Sequence, residues 1–279
     1  MPQSHTVQAN GASIPAIGYG TFTLSGEACA EAVGWALAAG YRHVDTARMY
    51  GNEAEVGQAL KTSGLKRDEV FVTTKVWWTD LAPGDLERSA EGSLKRLGLD
   101  QVDLLLIHWP NPAVPVADST AALCRMKRQG LARHIGVSNY PSALLDEAVR
   151  HATEPLVVNQ VEYHPYLDQS TVKRACEKHG MAMTAYSPLG RAAAFEDPTL
   201  KALAQAHGRT VSQIILRWHV QQPGVIAIPR STTRDHIIQN LDVFGFELSD
   251  EEMRRISGLA RPNGRILEPD FAPRWDKTS

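Results

Sequence analysis

Cysteine is scarce in this chain of 279 residues, with only Cys29, Cys124 and Cys176. The number is odd, the spacing is wide, and each cysteine lies in a segment patterned as a helix. This argues against a disulfide framework or a catalytic thiol and indicates thiols in a reducing cytoplasm. The ten histidines form no His-x-His pair and no HExxH helix, and the chain has no CxxC. We therefore predict that the protein has no metal site.

The chain also has no excess of one charge, since it contains 29 Lys and Arg residues and 31 Asp and Glu residues. Without a basic block, neither nucleic acid nor an anionic membrane is an expected partner. No apolar stretch approaches the roughly 20 residues that cross a bilayer, and the start of the chain lacks the pattern of a signal peptide. These absences predict a globular cytoplasmic protein.

What the sequence does contain is a regular alternation of apolar strands and amphipathic helices. Strand starts recur about every 30 residues, and eight such units account for the chain, which is typical of an α/β fold of the (β/α)8 TIM-barrel type. The runs are continuously apolar, as expected for parallel strands covered by helices. The predicted strands are 16–21, 41–46, 70–76, 102–108, 133–138, 156–162, 181–187 and 225–229.

Two further segments complete the predicted barrel, which we expect to form one domain over residues 1–279. Asn10-Gly11 lies between short β-prone runs and predicts a type I′ hairpin that covers the bottom of the barrel. Ser249 precedes Glu252 by three residues, which predicts a capped helix in LSDEEMRRISGL. The Pro- and Gly-rich tail beyond that helix is predicted to fold back over one mouth of the barrel.

Four residues capable of proton chemistry follow three successive predicted strands. Asp45 ends the first of these strands and Tyr50 lies in the next turn, Lys75 lies near the end of the second, and His108 follows the third. Loops after the C-terminal ends of barrel strands build the site in this fold, so we expect the four side chains to converge.

The four residue types are also chemically complementary. A tyrosine with a pKa of about 10 needs help to exchange protons near neutral pH, and an ammonium about 4 Å away stabilises a phenolate by roughly 4 kcal/mol. Lys75 is therefore predicted to lower the pKa of Tyr50, with Asp45 aiming Lys75 and His108 contacting a carbonyl oxygen or the phenol. Taken singly, each residue has an ordinary structural explanation, such as a turn former, a surface ring or a strand-end lysine. Their joint placement favours a site.

At these residues the chain resembles the aldo-keto reductases, and the resemblance extends over its whole length. The similar segments are GYRHVDTARMYGNEAEVG (40–57), TTKVW (73–77), LLLIHWP (104–110), GVSNY (136–140), NQVEYHPYL (159–167), AYSPLG (185–190) and IPRSTTRDHIIQN (228–240). Among members of the family, the compact length and the short loop after His108 are most similar to bacterial 2,5-diketo-D-gluconate reductases and methylglyoxal reductases.

The resemblance implies a (β/α)8 barrel that transfers hydride from NADPH to a small carbonyl substrate, with Tyr50 as the proton donor and without metal or flavin. It also implies a monomer. By position, it assigns cofactor binding to Ser138, Asn139, Gln160, Tyr186, Ser187, Leu189, Gly190, Arg230, Ser231, His236, Gln239 and Asn240. It implies that the substrate pocket is lined by Phe22, Trp77, Trp109 and Trp275.

The chain departs from the family at the phosphate motif, where Arg230 replaces the usual Lys and His236 replaces an Arg. Arginine is permanently charged, whereas an imidazole titrates near pH 6.5 and is mostly neutral at about pH 7.5. We therefore expect NADP(H) to be the principal cofactor and NAD(H) to be accepted. The preference for NADPH should grow as the pH falls from about 7.5 to 6. Trp78 and Tyr140 are smaller departures, and Trp78 has an equally good explanation as packing at the barrel rim.

The predicted aromatic pocket favours 2-oxoaldehydes such as methylglyoxal and aromatic aldehydes, followed by keto-sugars such as 2,5-diketo-D-gluconate. The segment from Asn111 to Asp118 is too short for a long lid, which predicts an open pocket.

Three alternative functions are a non-catalytic dinucleotide-binding regulatory subunit, a metal-dependent barrel hydrolase and a structural role. The presence of all four catalytic residue types opposes the first and third, and the missing His-x-His opposes the second.

Overall fold

Eight parallel strands form the central sheet of the computed structural model, which describes residues 5–190 and 192–276. Every predicted strand is present: β3 Tyr19–Gly20, β4 His43–Asp45, β5 Phe71–Val76, β6 Val102–Ile107, β7 Ala132–Ser138, β8 Leu156–Glu162, β9 Ala182–Tyr186 and β10 Val225–Ala227. Each strand pairs in parallel with the next along the chain. All six residues of β6 are buried, as its unbroken apolar run predicted.

The sheet closes into a barrel between its first and last strands. Ile17 pairs in parallel with Ala227, and Gly18 N donates to Ala227 O at 2.8 Å. The two outer strands are shorter than predicted, but their hydrogen bonding continues past the strand ends, since Gly20 N donates to Pro229 O at 3.0 Å. The predicted (β/α)8 fold is therefore confirmed.

The N-terminal hairpin consists of β1 (Thr6–Ala9) and β2 (Ala12–Pro15), which pair antiparallel. Asn10 and Gly11 have φ angles of 43° and 86°, as a type I′ turn requires. Ile14 packs with Leu104 and Leu106 of the barrel interior, and Asn10 Nδ2 donates to Leu156 O at 2.7 Å. Leu156 begins β8, so the hairpin closes the barrel at the N-terminal ends of its strands, as predicted.

Helices surround the barrel. Their bounds are α1 Gly26–Ala39, α2 Glu53–Thr62, α3 Asp85–Leu97, α4 Val116–Arg128, α5 Ser142–His151, α6 Ser170–Lys178, α7 Ala193–Glu196, α8 Pro198–His207, α9 Val211–Gln221, α10 Arg234–Leu241 and α11 Asp250–Ser257. The first of them, α1, is followed by Gly40, whose left-handed φ of 111° ends the helix. No helix of the described ranges is long and apolar enough to cross a membrane.

The C-terminal helix α11 begins with the predicted capping box. Glu252 N donates to Ser249 Oγ at 3.3 Å, and Ser249 N donates to Glu252 Oε2 at 2.7 Å. After α11 the chain runs without regular structure through residues 260–276, which we call the tail. The tail returns across the C-terminal ends of the strands, which confirms that it covers the mouth of the barrel. Residues 1–4, 191 and 277–279 of the predicted single domain lie outside the described residues, and that domain assignment stays a prediction.

Candidate active site

The four candidate catalytic residues lie at the C-terminal ends of neighbouring strands, as expected. Asp45 is the last residue of β4, and Tyr50 ends the short 3-10 turn Arg48–Tyr50 that follows it. Lys75 lies one residue before the end of β5, and His108 directly follows β6. Asp45, Tyr50 and His108 line a cavity of about 930 Å³, and Lys75 lies beneath it with no exposed surface.

A buried ion pair forms the base of the site. Lys75 Nζ donates to Asp45 Oδ1 at 2.5 Å and to Thr46 O at 2.9 Å. The second carboxylate oxygen of Asp45 accepts from Gln160 Nε2 at 2.7 Å. Burial lowers the pKa of Lys75, and the charge of Asp45 opposes that change. The network fixes the ammonium in one direction, with Asp45 as its counter-ion.

Tyr50 is the residue toward which this ammonium points. Lys75 Nζ lies 3.3 Å from Tyr50 Oη and 5.0 Å from the centre of the ring. Burial, and then the charge of Asp45, raise the pKa of Tyr50 well above its ordinary value of 10.0. The expectation that Lys75 lowers this pKa is therefore wrong, because Asp45 compensates the ammonium and the phenol is desolvated. Tyr50 carries its proton across the neutral range, which is the state a proton donor needs.

His108 contributes a neutral imidazole. Burial, and then the charge of Lys75, keep the pKa of His108 well below its ordinary value of 6.5. Its ring lies edge-to-face against Tyr50 at 5.6 Å and against Trp77 at 5.1 Å. Nδ1 of His108 is buried and has no hydrogen-bond partner within the described part of the chain. A neutral ring beside the phenol can donate one hydrogen bond to a polar ligand atom.

Side chains from β7, β8 and β9 form the wall next to the tetrad. Asn139, with a left-handed φ of 63°, donates to His108 O at 2.9 Å and accepts from Tyr186 Oη at 2.8 Å. Ser138 Oγ donates to Gln160 O at 2.8 Å. The hydrogen bond from Tyr186 Oη to Asn139 holds the ring of Tyr186 in place, and Tyr186, Asn139 and Gln160 all line the cavity. This arrangement offers an aromatic surface with amide groups beside it, which suits a planar ring that carries an amide.

The far end of the same cavity is polar and exposed. Its walls carry the remaining predicted cofactor residues, which are Ser187, Leu189, Gly190, Arg230, Ser231, His236, Gln239 and Asn240. Tyr19 Oη donates to Ser231 O at 2.5 Å and Ser231 Oγ accepts from Thr233 N at 3.1 Å, which fixes this loop before α10. Hydroxyl groups, a guanidinium and a helix N-terminus in one place suit phosphate groups. The donor set therefore fits a dinucleotide phosphate.

The structure brings Phe22, Trp77 and Trp109 to the cavity, whereas Trp275 does not line it. Trp275 packs behind Trp109, with the ring centres 6.0 Å apart, and beneath the guanidinium of Arg265 at 3.7 Å. The aromatic residue of the tail that reaches the cavity is Phe271. Sequence reasoning chose Trp275, because nothing in an irregular segment shows which of two aromatic residues four positions apart turns inward.

Phe271 completes an aromatic wall that the sequence did not predict. Its ring lies 5.7 Å from Trp77 and 5.6 Å from Trp109 in edge-to-face geometry, and it stacks on Trp78 at 4.6 Å. Trp78 therefore supports the tail at the rim, which agrees with its packing explanation. Other lining residues that sequence reasoning missed include Met49, Phe195, Thr210, Ser212, Ile266, Leu267 and Pro269. Apart from Met49, beside Tyr50, they lie in segments without a strand-end signal.

The described residues contain no group of three or more His, Cys, Asp or Glu side chains that could hold a metal ion. Cys29, Cys124 and Cys176 are buried and are not paired in disulfides within the described residues.

Comparisons with known proteins give the family that the sequence motifs resemble. The pattern of the aldo/keto reductase family matches residues 16–261. Methylglyoxal reductase DkgB of Yersinia pestis is 40% identical over 268 residues, which cover 95% of this chain and 100% of that protein. A structure described provisionally as a 2,5-diketo-D-gluconic acid reductase B superimposes with a TM-score of 0.96 at 45% identity and covers 98% of each chain.

A third similar protein, an aldo-keto reductase of Bombyx mori, was solved in complex with NADP. It superimposes with a TM-score of 0.90 at 34% identity and covers 98% of this chain and 100% of its own. The family match spans most of the chain, and the similar structures have the same closed barrel. This chain belongs to the aldo/keto reductase family and is an oxidoreductase of that family.

Proposed function

We propose that this protein is a carbonyl reductase that uses NADPH and also accepts NADH, with Tyr50 as the general acid. The observation that carries the proposal is the placement of the Tyr50 phenol, 3.3 Å from the Lys75 ammonium, in a cavity shared with His108 and with the Tyr186, Asn139 and Gln160 wall. The phenol is protonated, the imidazole is neutral, and both face the space in which a carbonyl oxygen would bind.

In this mechanism the nicotinamide, when bound, supplies hydride to the carbonyl carbon. Tyr186 offers its ring as the platform for the nicotinamide, and Asn139 and Gln160 offer their amides to its carboxamide. His108 donates a hydrogen bond to the carbonyl oxygen and holds it toward Tyr50. As negative charge develops on that oxygen, Tyr50 transfers its proton.

Lys75 acts when the proton has left Tyr50. A phenolate forms 3.3 Å from the ammonium, and the fully buried Lys75 stabilises the developing charge. Asp45 keeps Lys75 charged and directed at the phenol. Lys75 thus lowers the cost of losing the proton, although it does not bring the resting pKa of Tyr50 below the ordinary value.

The substrates that fit this pocket best are small 2-oxoaldehydes such as methylglyoxal and aromatic aldehydes, ahead of keto-sugars such as 2,5-diketo-D-gluconate. Trp77, Trp109 and Phe271 give the substrate end three aromatic walls, which favour flat or apolar carbonyl compounds over polyhydroxylated ones.

Because the three cysteines are unpaired, we place the enzyme in the cytoplasm, and we expect it to act as a monomer.

A panel of carbonyl compounds assayed with NADPH and with NADH tests this function. Turnover of methylglyoxal or an aromatic aldehyde, measured as loss of the reduced nicotinamide, is the expected result. Tight cofactor binding without turnover of any carbonyl would instead favour the non-catalytic dinucleotide-binding subunit.

The pH profile should differ between the two directions of the reaction. Tyr50 holds its proton and His108 stays neutral between about pH 6 and 9, so kcat/KM for reduction should stay level within about twofold. Oxidation of the alcohol needs the phenolate, whose fraction rises about tenfold per pH unit below the pKa, so its kcat/KM should rise with pH. Initial rates in both directions over this range give the comparison. A reduction rate that falls steeply above about pH 8 would contradict a raised pKa of Tyr50.

Cofactor preference should depend on the charge at position 236, because His236 is exposed and lines the phosphate end of the cavity. His236→Arg adds a permanent charge and a planar group of N–H donors for the 2′-phosphate of NADPH. The ratio of kcat/KM for NADPH to that for NADH should therefore rise several-fold in this variant. An unchanged ratio would rule out a contact between residue 236 and the 2′-phosphate.

A further inference from the structure

Glu162 is a buried carboxylate that the proposed chemistry does not use. It is the last residue of β8 and has no exposed surface. Its Oε1 accepts a hydrogen bond from Ile266 N at 2.6 Å, and its Oε2 accepts one from Leu267 N at 2.8 Å. His164 Nε2 lies 3.1 Å from Oε1. A barrel carboxylate is thus bound by two consecutive backbone amides of the tail.

These two amides belong to the part of the tail that crosses the cavity. Ile266, Leu267, Pro269 and Phe271 all line it, so the position of this segment determines how far the mouth is covered. Leu267 is 40% exposed although it is a large apolar residue, so packing of its side chain contributes little to holding the segment in place. The two bonds to Glu162 hold the backbone of the segment at this point.

The tail is also held before and after this point. Arg261 N donates to Tyr166 O at 3.2 Å, and a side-chain carbon at Gly264 would lie 1.7 Å from the same oxygen, which shows how closely the tail approaches the barrel there. Near the other end, Asp276 accepts from Ser142 N at 2.9 Å. Glu162 lies between these attachments, at the place where the tail turns over the cavity.

The two hydrogen bonds stabilise both the buried carboxylate of Glu162 and the tail. A buried carboxylate is stable only when hydrogen bonds replace its water, and here the tail supplies two of them. When the tail lifts, Glu162 loses both donors, and the tail loses its two charge-assisted bonds. Closure is therefore favoured from both sides, and a change at Glu162 alone should release the segment.

We propose that Glu162 is a positioning residue that holds the tail closed over the cavity, and that breaking its two hydrogen bonds to Ile266 and Leu267 opens the mouth for exchange of bound molecules. Glu162→Gln removes the charge and turns an amide N–H₂ toward one of the two backbone N–H donors. The variant retains the shape of the side chain but cannot accept both bonds.

Trypsin provides a direct readout, because the peptide bond between Arg265 and Ile266 contains the first of the two amides that Glu162 binds. Cleavage there requires the segment to leave Glu162, and its rate follows the population of the open form. We expect Glu162→Gln to be cleaved after Arg265 about tenfold faster than the wild type, or more, as mass spectrometry of the released C-terminal peptide would show. An unchanged cleavage rate in the folded variant would overturn the proposal.

Glu53→Gln is the control that separates this role from a general loss of stability. Glu53 is also a buried carboxylate, which accepts from Thr74 Oγ1 at 2.5 Å and Arg96 Nε at 2.8 Å and does not contact the tail. Glu53→Gln should leave cleavage after Arg265 at the wild-type rate even if its melting temperature falls. Faster cleavage in Glu53→Gln, equal to that in Glu162→Gln, would overturn the proposal.

Two substitutions in the tail test the proposal without any change to the barrel. They serve if Glu162→Gln does not fold. Leu267→Pro deletes the N–H that binds Oε2, whereas Leu267→Ala shortens the side chain and keeps that N–H. Leu267→Pro should release the tail, and Leu267→Ala should stay protected. Equal protection in both variants would show that the backbone bond does not hold the segment.

The proteolysis test needs neither cofactor nor turnover, so its outcome is independent of the proposed reductase function. A kinetic consequence does rest on that function. Because Tyr50, Lys75 and His108 are unchanged in Glu162→Gln, KM for a small aldehyde should rise several-fold while kcat is retained. A fall in kcat at unchanged KM would show that Glu162 acts on the chemistry and not on the tail.

Discussion

Tyr50→Phe should lower kcat for carbonyl reduction by about 10²- to 10⁴-fold, which is the usual contribution of a positioned general acid. The substitution removes one hydroxyl group and leaves the ring, so the contacts with Phe22 at 5.0 Å and His108 at 5.6 Å are retained. Cofactor binding should be unchanged, because the Tyr186, Asn139 and Gln160 wall is intact. Steady-state rates with methylglyoxal or an aromatic aldehyde, together with NADPH binding followed by fluorescence, make the measurement.

Tyr163→Phe is the matched control for this prediction. Tyr163 is likewise buried, and its hydroxyl donates to Gln222 Oε1 at 2.9 Å, but it does not line the cavity. Removal of that hydroxyl should change kcat by no more than about twofold, because the lost hydrogen bond affects stability and not the reacting atoms. If Tyr50→Phe retained activity within tenfold of the wild type, the phenol would not be the proton donor.

Asp45→Asn should destabilise the fold by about 3–5 kcal/mol, the typical result of removing one partner of a buried ion pair. The ammonium of Lys75 has no exposed surface, and Asp45 is the carboxylate that it contacts directly. Asparagine preserves the volume but leaves the ammonium without a counter-ion in a site shielded from water. Urea unfolding at neutral pH measures the change in the free energy of unfolding, and activity should be lost as well because Lys75 is no longer held.

The double variant Asp45→Asn, Lys75→Met tests whether the unpaired ammonium of Lys75 causes the loss of stability. With both charges removed, no ion remains unpaired, so most of the lost stability should return, apart from about 1–3 kcal/mol for the broken bonds to Thr46 O and Gln160 Nε2. Activity should stay absent. If the double variant were as unstable as the sum of the two single variants, the two residues would not be energetically coupled.

Much of the barrel could be predicted because its signals are local and periodic. Continuous apolar runs such as β6, the Asn10-Gly11 turn and the Ser249 capping box each depend on residues that are close together in the chain. The same periodicity placed Asp45, Lys75 and His108 at strand ends, and parallel strands bring those ends to one face of the barrel. Convergence of the candidate catalytic residues therefore needed no knowledge of individual contacts.

The protonation state of Tyr50 could not be predicted in this way. The sequence shows that a lysine can approach the phenol, but the direction of the pKa change depends on burial and on the position of Asp45 relative to both groups. In the folded chain Asp45 lies 2.5 Å from the ammonium, which leaves desolvation as the dominant effect on Tyr50. The predicted direction was wrong because it counted Asp45 only as the residue that aims Lys75, and left out the effects of its charge and of burial on the pKa of Tyr50.

The sequence by itself determined the (β/α)8 fold, the family and the residues that meet at the mouth of the barrel, because strand and helix periods are encoded in neighbouring residues. Only the tertiary structure decided that Tyr50 rests protonated, that Phe271 and not Trp275 faces the cavity, and that Glu162 binds the tail. These properties arise from distances between segments remote in sequence and from the exclusion of water around them. An irregular tail has no period from which its contacts could be inferred.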